Sequence, residues 1–178
     1  MSLVLVKPTI EELRELIGGV HSHSKARSSF SLYPDGFALG SVTELVGAGK
    51  THAIALFLKE HSDFKVAWVE SHLTINPYAL FQLGVNLENI LFIEAQKDLS
   101  WCLDQTLQSG CFKVVVAYTK KIQEKDLRRY QLISEKNQSH FFLLSERAHK
   151  SWVPQLQLRV LKTNNSIGFE MIRKRGYG

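Results

Sequence analysis

Ser41-Val42-Thr43-Glu44-Leu45-Val46-Gly47-Ala48-Gly49-Lys50-Thr51 reads as a buried strand, a tight glycine turn and the start of a helix. Gly49-Lys50-Thr51 after a strand is the second half of a phosphate-binding loop. In the complete G-x-x-x-x-G-K-[ST] form, backbone N–H groups wrap the phosphates, the Lys reaches the outer phosphates and the hydroxyl holds Mg²⁺. That spacing asks for glycine at position 44, where the chain has Glu44, and the nearest upstream glycine is Gly47. Either a carboxylate stands where a phosphate should approach, or the loop is about three residues too short to wrap one.

Outward from this stretch, strand-like and helix-like runs alternate. Lys65–Val69, Ile90–Ile93, Phe112–Ala117 and Phe141–Leu144 are short apolar runs. Between them Thr51–Lys59, Pro77–Leu83, Leu99–Gln108 and Lys125–Lys136 carry helical periodicity. Continuous apolar strands separated by helices predict an α/β fold: a mostly parallel sheet with helices on both faces. The end differs. Pro154–Lys162 and Ile167–Arg173, separated by Thr163-Asn164-Asn165-Ser166, predict a C-terminal antiparallel strand pair on one sheet edge. Before the core, Thr9–Ile17 reads as an amphipathic helix with Ile10, Leu13, Leu16 and Ile17 on one face. His21–Ser31 reads as a polar loop, in which His21 and His23 form a solvated pair. The expected organisation is therefore 1–34 as N-terminal helix and loop, and 35–178 as the core domain.

The 178 residues suit one such domain, and 44% apolar with 22% charged residues is the composition of an ordinary globular protein. No apolar run approaches the roughly 20 residues that span a bilayer, and Met1–Pro8 lacks the pattern of a signal peptide. The expectation is a cytoplasmic protein without membrane contact. Cys102 and Cys111 are too few for a disulfide framework, and Cys102 lies on an apolar helical stripe. The net charge of +5 is unevenly placed. Lys150, Arg159, Lys162, Arg173, Lys174 and Arg175 crowd the last thirty residues. A basic terminus suits nucleic acid or an acidic partner. Lys150, Trp152, Arg159, Arg173, Lys174 and Arg175 are accordingly the candidates for DNA or partner contact, mixing cations with an aromatic ring.

Gly36–Gly47, then Val66-Ala67-Trp68-Val69-Glu70, Asn76-Pro77-Tyr78-Ala79, Leu83–Leu91 and Ser109-Gly110 before Val114-Val115-Val116 resemble the core of RecA-type recombinases over roughly residues 35 to 150. Two shorter relatives fit the whole length better. The closing Leu156-Gln157-Leu158-Arg159-Val160 and Phe169–Gly176 resemble the ImuA group of mutagenesis factors, which accompany error-prone polymerases. Leu107–Val116, Asp126-Leu127 and Phe141–Leu144 resemble the SulA type of cell-division inhibitor, which binds FtsZ. Both resemblances imply the bacterial DNA-damage response and a protein partner: an error-prone polymerase, RecA or FtsZ. RecA relatives often self-associate, so an oligomer is within the expectation.

The same resemblance shows what is missing. A RecA-type ATPase needs a phosphate loop, an acid for Mg²⁺ and a carboxylate that activates water. The Mg²⁺ position falls on Ala117-Tyr118 and the activating position on His72, with Glu70 two residues earlier. The expectation is a protein without useful ATPase activity and without a resident cofactor. Weak binding of ATP, ADP or another anion at Gly47, Gly49, Lys50 and Thr51 is the residual activity such a helix start supports.

Overall fold

A computed structural model of the chain describes residues 25–163 and 166–175. The expected helix Thr9–Ile17, the pair His21 and His23, and Asn164-Asn165 of the closing turn lie outside the described residues. The strands are β1 (Arg27–Ser28), β2 (Phe37–Ala38), β3 (Ser41–Val46), β4 (Val66–Glu70), β5 (Ile90–Glu94), β6 (Val114–Tyr118), β7 (His140–Ser145), β8 (Leu156–Lys162) and β9 (Ile167–Lys174). The helices are α1 (Lys50–Glu60), α2 (Pro77–Gln82), α3 (Leu99–Gln108) and α4 (Glu124–Asn137).

The fold is α/β. Seven strands form one sheet in the order β5-β4-β6-β7-β3-β8-β9; all neighbours pair in parallel except the closing pair β8-β9. Successive strand side chains point to opposite faces, so each buried strand divides its residues between two cores. Val66, Trp68, Val114, Val116, Phe142 and Leu144 meet α1 and α2 on one face. Ala67, Val69, Val115, Ala117, Phe141 and Leu143 meet α3 and α4 on the other. Burial on both faces is why these strands are apolar at every position. β9, at the sheet edge, alternates instead.

Two boundaries bear on the site. β4 and β6 extend past their apolar runs, to Glu70 and Tyr118, because the parallel ladder continues through Glu70↔Tyr118 and Tyr118↔Leu144. Both residues therefore stand at the carboxyl edge of the sheet. Residues Arg27 and Ser28, expected in a loop, form β1 by pairing with β2. The Arg27 guanidinium donates to the carbonyls of Asp35 (2.5 Å) and Gly36 (2.8 Å), closing that hairpin. Phe30, Tyr33 and Phe37 behind it are buried in the first core.

His140 opens β7 inside the aromatic cluster of Phe57, Phe64 and Phe142. Its Nε2 lies 2.8 Å from Ser28 Oγ. Burial, assisted by the nearby charges of Lys113 and His61, pushes its pKa down to about 3, so the ring is neutral across the physiological range. Among the described residues no helix is long and apolar enough to cross a membrane.

Candidate functional site

β3 delivers the chain to the carboxyl edge, and Gly47-Ala48-Gly49 is the whole connection to α1. Glu44 does not face this turn. It sits in the middle of β3 with its carboxylate on the α3/α4 side, away from α1, so the short loop rather than a misplaced carboxylate breaks the phosphate-loop pattern. The turn is also pressed against β8. Gly47 has φ +98°, and a Cβ there would stand 2.5 Å from the Val160 carbonyl oxygen. A Cβ on Gly49 would lie 2.8 Å from Val160 Cγ1. Both glycines are required by the close approach of β8, a role independent of any phosphate.

Lys50 starts α1, and its ammonium already has an anion. Lys50 Nζ lies 3.4 Å from Glu146 Oε1 and 5.5 Å from the centre of the Tyr118 ring. Tyr118 Oη donates to the same Glu146 oxygen at 2.6 Å. These contacts hold the Glu146 carboxyl below its usual range, the Tyr118 bond first and Lys50 second. The reverse effect raises the Tyr118 phenol. Ala117, where the resemblance places a Mg²⁺-binding acid, is buried, and Tyr118 follows it at the end of β6.

Around this triad lies a cavity of about 440 Å³, lined among others by Thr51, His52, Glu70, Asn76 and Lys162. That size falls within the range of small-molecule sites. Glu70 is buried and fully engaged. It accepts from Trp68 Nε1 (2.7 Å), the Thr74 amide (2.6 Å) and Thr74 Oγ1 (2.8 Å). His72 points outward, with Nδ1 3.3 Å from Glu94. His52 is held below its ordinary pKa by burial and then by Lys162.

On the opposite face a buried polar group anchors the segment that carries Glu146. Glu44 is inaccessible to solvent. His149 Nδ1 lies 2.5 Å from Glu44 Oε1, and the His149 amide donates to both carboxylate oxygens at 3.2 Å. Gln157 Nε2 donates to Glu44 and to the His149 carbonyl. Burial alone would raise the Glu44 pKa. The bonds from His149, Gln157 and Ser145, with the attraction of the imidazolium, outweigh burial and lower it. His149 is raised, chiefly by its bond to Glu44. The segment after β7 is thus pinned at Glu146 on one side and at His149 on the other.

The basic candidates separate in space. Arg173 donates to the Ser151 carbonyl, and Arg175 Nη1 donates to the Trp152 carbonyl at 3.1 Å. Trp152 is half exposed, with the guanidiniums of Arg175 and Arg128 each 5.2 Å from its ring centre. Arg159 pairs with Glu170 at 2.8 Å. Lys174 turns to the other face of the sheet, 2.6 Å from Asp35. Lys150 is exposed on the same segment as Trp152. Sequence reasoning missed Arg128, Glu146 and His149. Glu146 carried a readable signal, since it follows a buried parallel strand and so emerges at the carboxyl edge. Among the described residues no cluster of three or more His, Cys, Asp or Glu is placed to hold a metal ion. Cys102 is partly buried against the second core, and Cys111 is exposed.

No protein-family model matches the chain, and no characterised protein matches it in sequence.

Proposed function

We propose that the chain is a RecA-like interaction module of the bacterial DNA-damage response, an ImuA-like accessory of translesion synthesis that turns over no nucleotide. The observation that carries this reading is the Lys50–Glu146–Tyr118 triad. The cation that would meet a phosphate is engaged by the chain's own carboxylate, and β6 ends in Ala117-Tyr118 rather than in an acid. The turn supports it: Gly47-Ala48-Gly49 is the whole connection from β3 to α1, and both glycines are packed on Val160.

A module acting by contact needs exposed anchors. Tyr78 and Phe81 stack on α2 with 65% and 62% of their surface exposed, and Trp101 on α3 is 63% exposed. Such aromatic residues dominate binding energy when buried by a partner. Arg128, Trp152 and Arg175 form a second, basic candidate surface for a protein partner or for DNA.

The test is calorimetric titration with ATP and ADP, with and without Mg²⁺, on wild type and Lys50→Ala. The reading expects no tight Mg²⁺-dependent binding. Tight binding abolished by Lys50→Ala would replace the reading with the alternative of an ATP-binding RecA-type protein, which the 440 Å³ cavity beside Thr51 favours. Partner choice is read by biolayer interferometry against purified error-prone polymerase, RecA and FtsZ. Saturable binding to FtsZ alone, with loss of sedimentable FtsZ polymer, would favour the SulA-like alternative.

A further inference from the structure

A second crevice opens beside the Lys50 cavity, at the boundary between β4 and β6. These strands are parallel neighbours, but the chain leaves them in opposite directions. From β4 it enters α2 on the first face, and from β6 it enters α4 on the second. Two connections departing to opposite faces leave a gap between them, and open α/β sheets bind ligands in this gap, outside the carboxyl ends of the strands. Here the gap is a cavity of about 420 Å³, walled by Ser71, His72 and Thr74 after β4 and by Tyr118–Lys121 after β6.

Its chemistry is cationic. No carboxylate lines it. Glu70, the nearest acid on β4, spends its oxygens on Trp68 and Thr74. Lys120 and Lys121 enter no side-chain hydrogen bond or ion pair among the described residues, although Lys120 lies near enough to Glu146 to help depress its carboxyl. Their backbone is already fixed. The Thr119 amide donates to the Leu144 carbonyl (3.2 Å), Thr119 Oγ1 donates to the Lys121 carbonyl (2.9 Å), and the Lys121 amide donates back to Thr119 Oγ1 (3.2 Å). An anion arriving here orders two side chains and no backbone, which keeps the entropic cost of binding low.

We infer that the crevice between β4 and β6 binds a small phosphate monoester, with its phosphate held by Lys120 and Lys121. Ser71 and His72, the latter with its ring 3.3 Å from Glu94, belong to the β4 side of the crevice. Two ammonium groups match the charge of nearly −2 on a monoester at neutral pH better than a single carboxylate. Thr74 and Tyr118 line this cavity and the Lys50 cavity alike, so the organic body of the ester has a continuous path across the Tyr118 ring into the larger space. The site stands whether or not the protein is an interaction module.

Phenyl phosphate and inorganic phosphate are the probes, titrated into ¹⁵N-labelled full-length protein and followed by amide shifts. Saturable shifts at Ser71, His72 and Thr119–Lys121 are expected. The double variant Lys120→Ala/Lys121→Ala should weaken binding roughly tenfold or more, the effect of removing about 1.4 kcal/mol or more of charge-assisted contact. Phenyl sulfate, a monoanion, should bind more weakly than phenyl phosphate. Binding that survives the double lysine variant overturns the proposal. So do shifts centred on Gly49–His52 and abolished by Lys50→Ala, or the absence of any saturable shift.

Discussion

Replacing His149 by alanine should destabilise the protein by about 3 kcal/mol. Glu44 has no solvent exposure, and the His149 side chain is only 19% exposed. Removing one partner of a buried ion pair costs about 3–5 kcal/mol, because the remaining charge stays buried. Glu44 keeps the Gln157 amide and the His149 backbone N–H, which places the cost at the lower end. For a chain of this size that corresponds to a fall in Tm of about 6–12 °C. The pH dependence is distinctive. His149 has a raised pKa when folded, so its contribution is complete below the ordinary histidine value of about 6.5 and is lost as pH rises through the folded value. Glu44 has a lowered pKa, so its contribution is complete above about 4.3 and is lost as pH falls. The gap between wild type and His149→Ala should therefore be widest between these limits and narrow on both sides. Urea denaturation across that range measures it. Adding Glu44→Gln should restore part of the loss, since a neutral amide no longer requires a counter-charge. A loss under about 1 kcal/mol, or a gap unchanged with pH, would refute the ion-pair account and leave only lost packing.

His140 should make the protein acid-sensitive. Its folded pKa near 3 lies below the unfolded value, so stability is lost as pH falls below about 6.5, by about 2 kcal/mol over 1.5 pH units; His140→Asn should flatten this slope in the same urea series. Gly47→Ala should cost about 3 kcal/mol by thermal or chemical denaturation, combining the strain of φ +98° with a backbone clash at Val160; a neutral result would mean that β8 yields easily. Glu146→Gln should lower the Tyr118 phenol pKa toward its ordinary value, read by tyrosinate absorbance with Tyr118→Phe to assign the band. An unchanged titration would show that the Tyr118–Glu146 bond does not persist in solution.

The succession of elements was legible in the residues themselves. Ser41–Val46 and Leu99–Gln108 form the strand and helix expected of them. Apolar strand runs bounded by turn residues are a local signal, and burial on both faces of a parallel sheet strengthens it. The antiparallel closing pair was equally readable, because the polar residues Thr163–Ser166 interrupt two alternating runs. Counting residues left two ways for the phosphate-loop pattern to fail, a carboxylate at position 44 or a loop too short, and only the placement of Glu44 in β3 chose between them.

Tertiary structure alone decided what surrounds Lys50 and Glu44. Lys50 and Glu146 are 96 positions apart, and Glu44 and His149 are 105 apart. Nothing local links such partners. They meet because β7 lies beside β3 in parallel register, so residues leaving the end of β7 arrive at the turn leaving β3. The crevice between β4 and β6 arises in the same way, from strand order and from the faces that the following helices choose. Residue types determine which segments become strands and helices through short-range periodicity. The partners of a charged side chain depend on sheet order, which sums the packing preferences of the whole chain and is written in no single stretch of it.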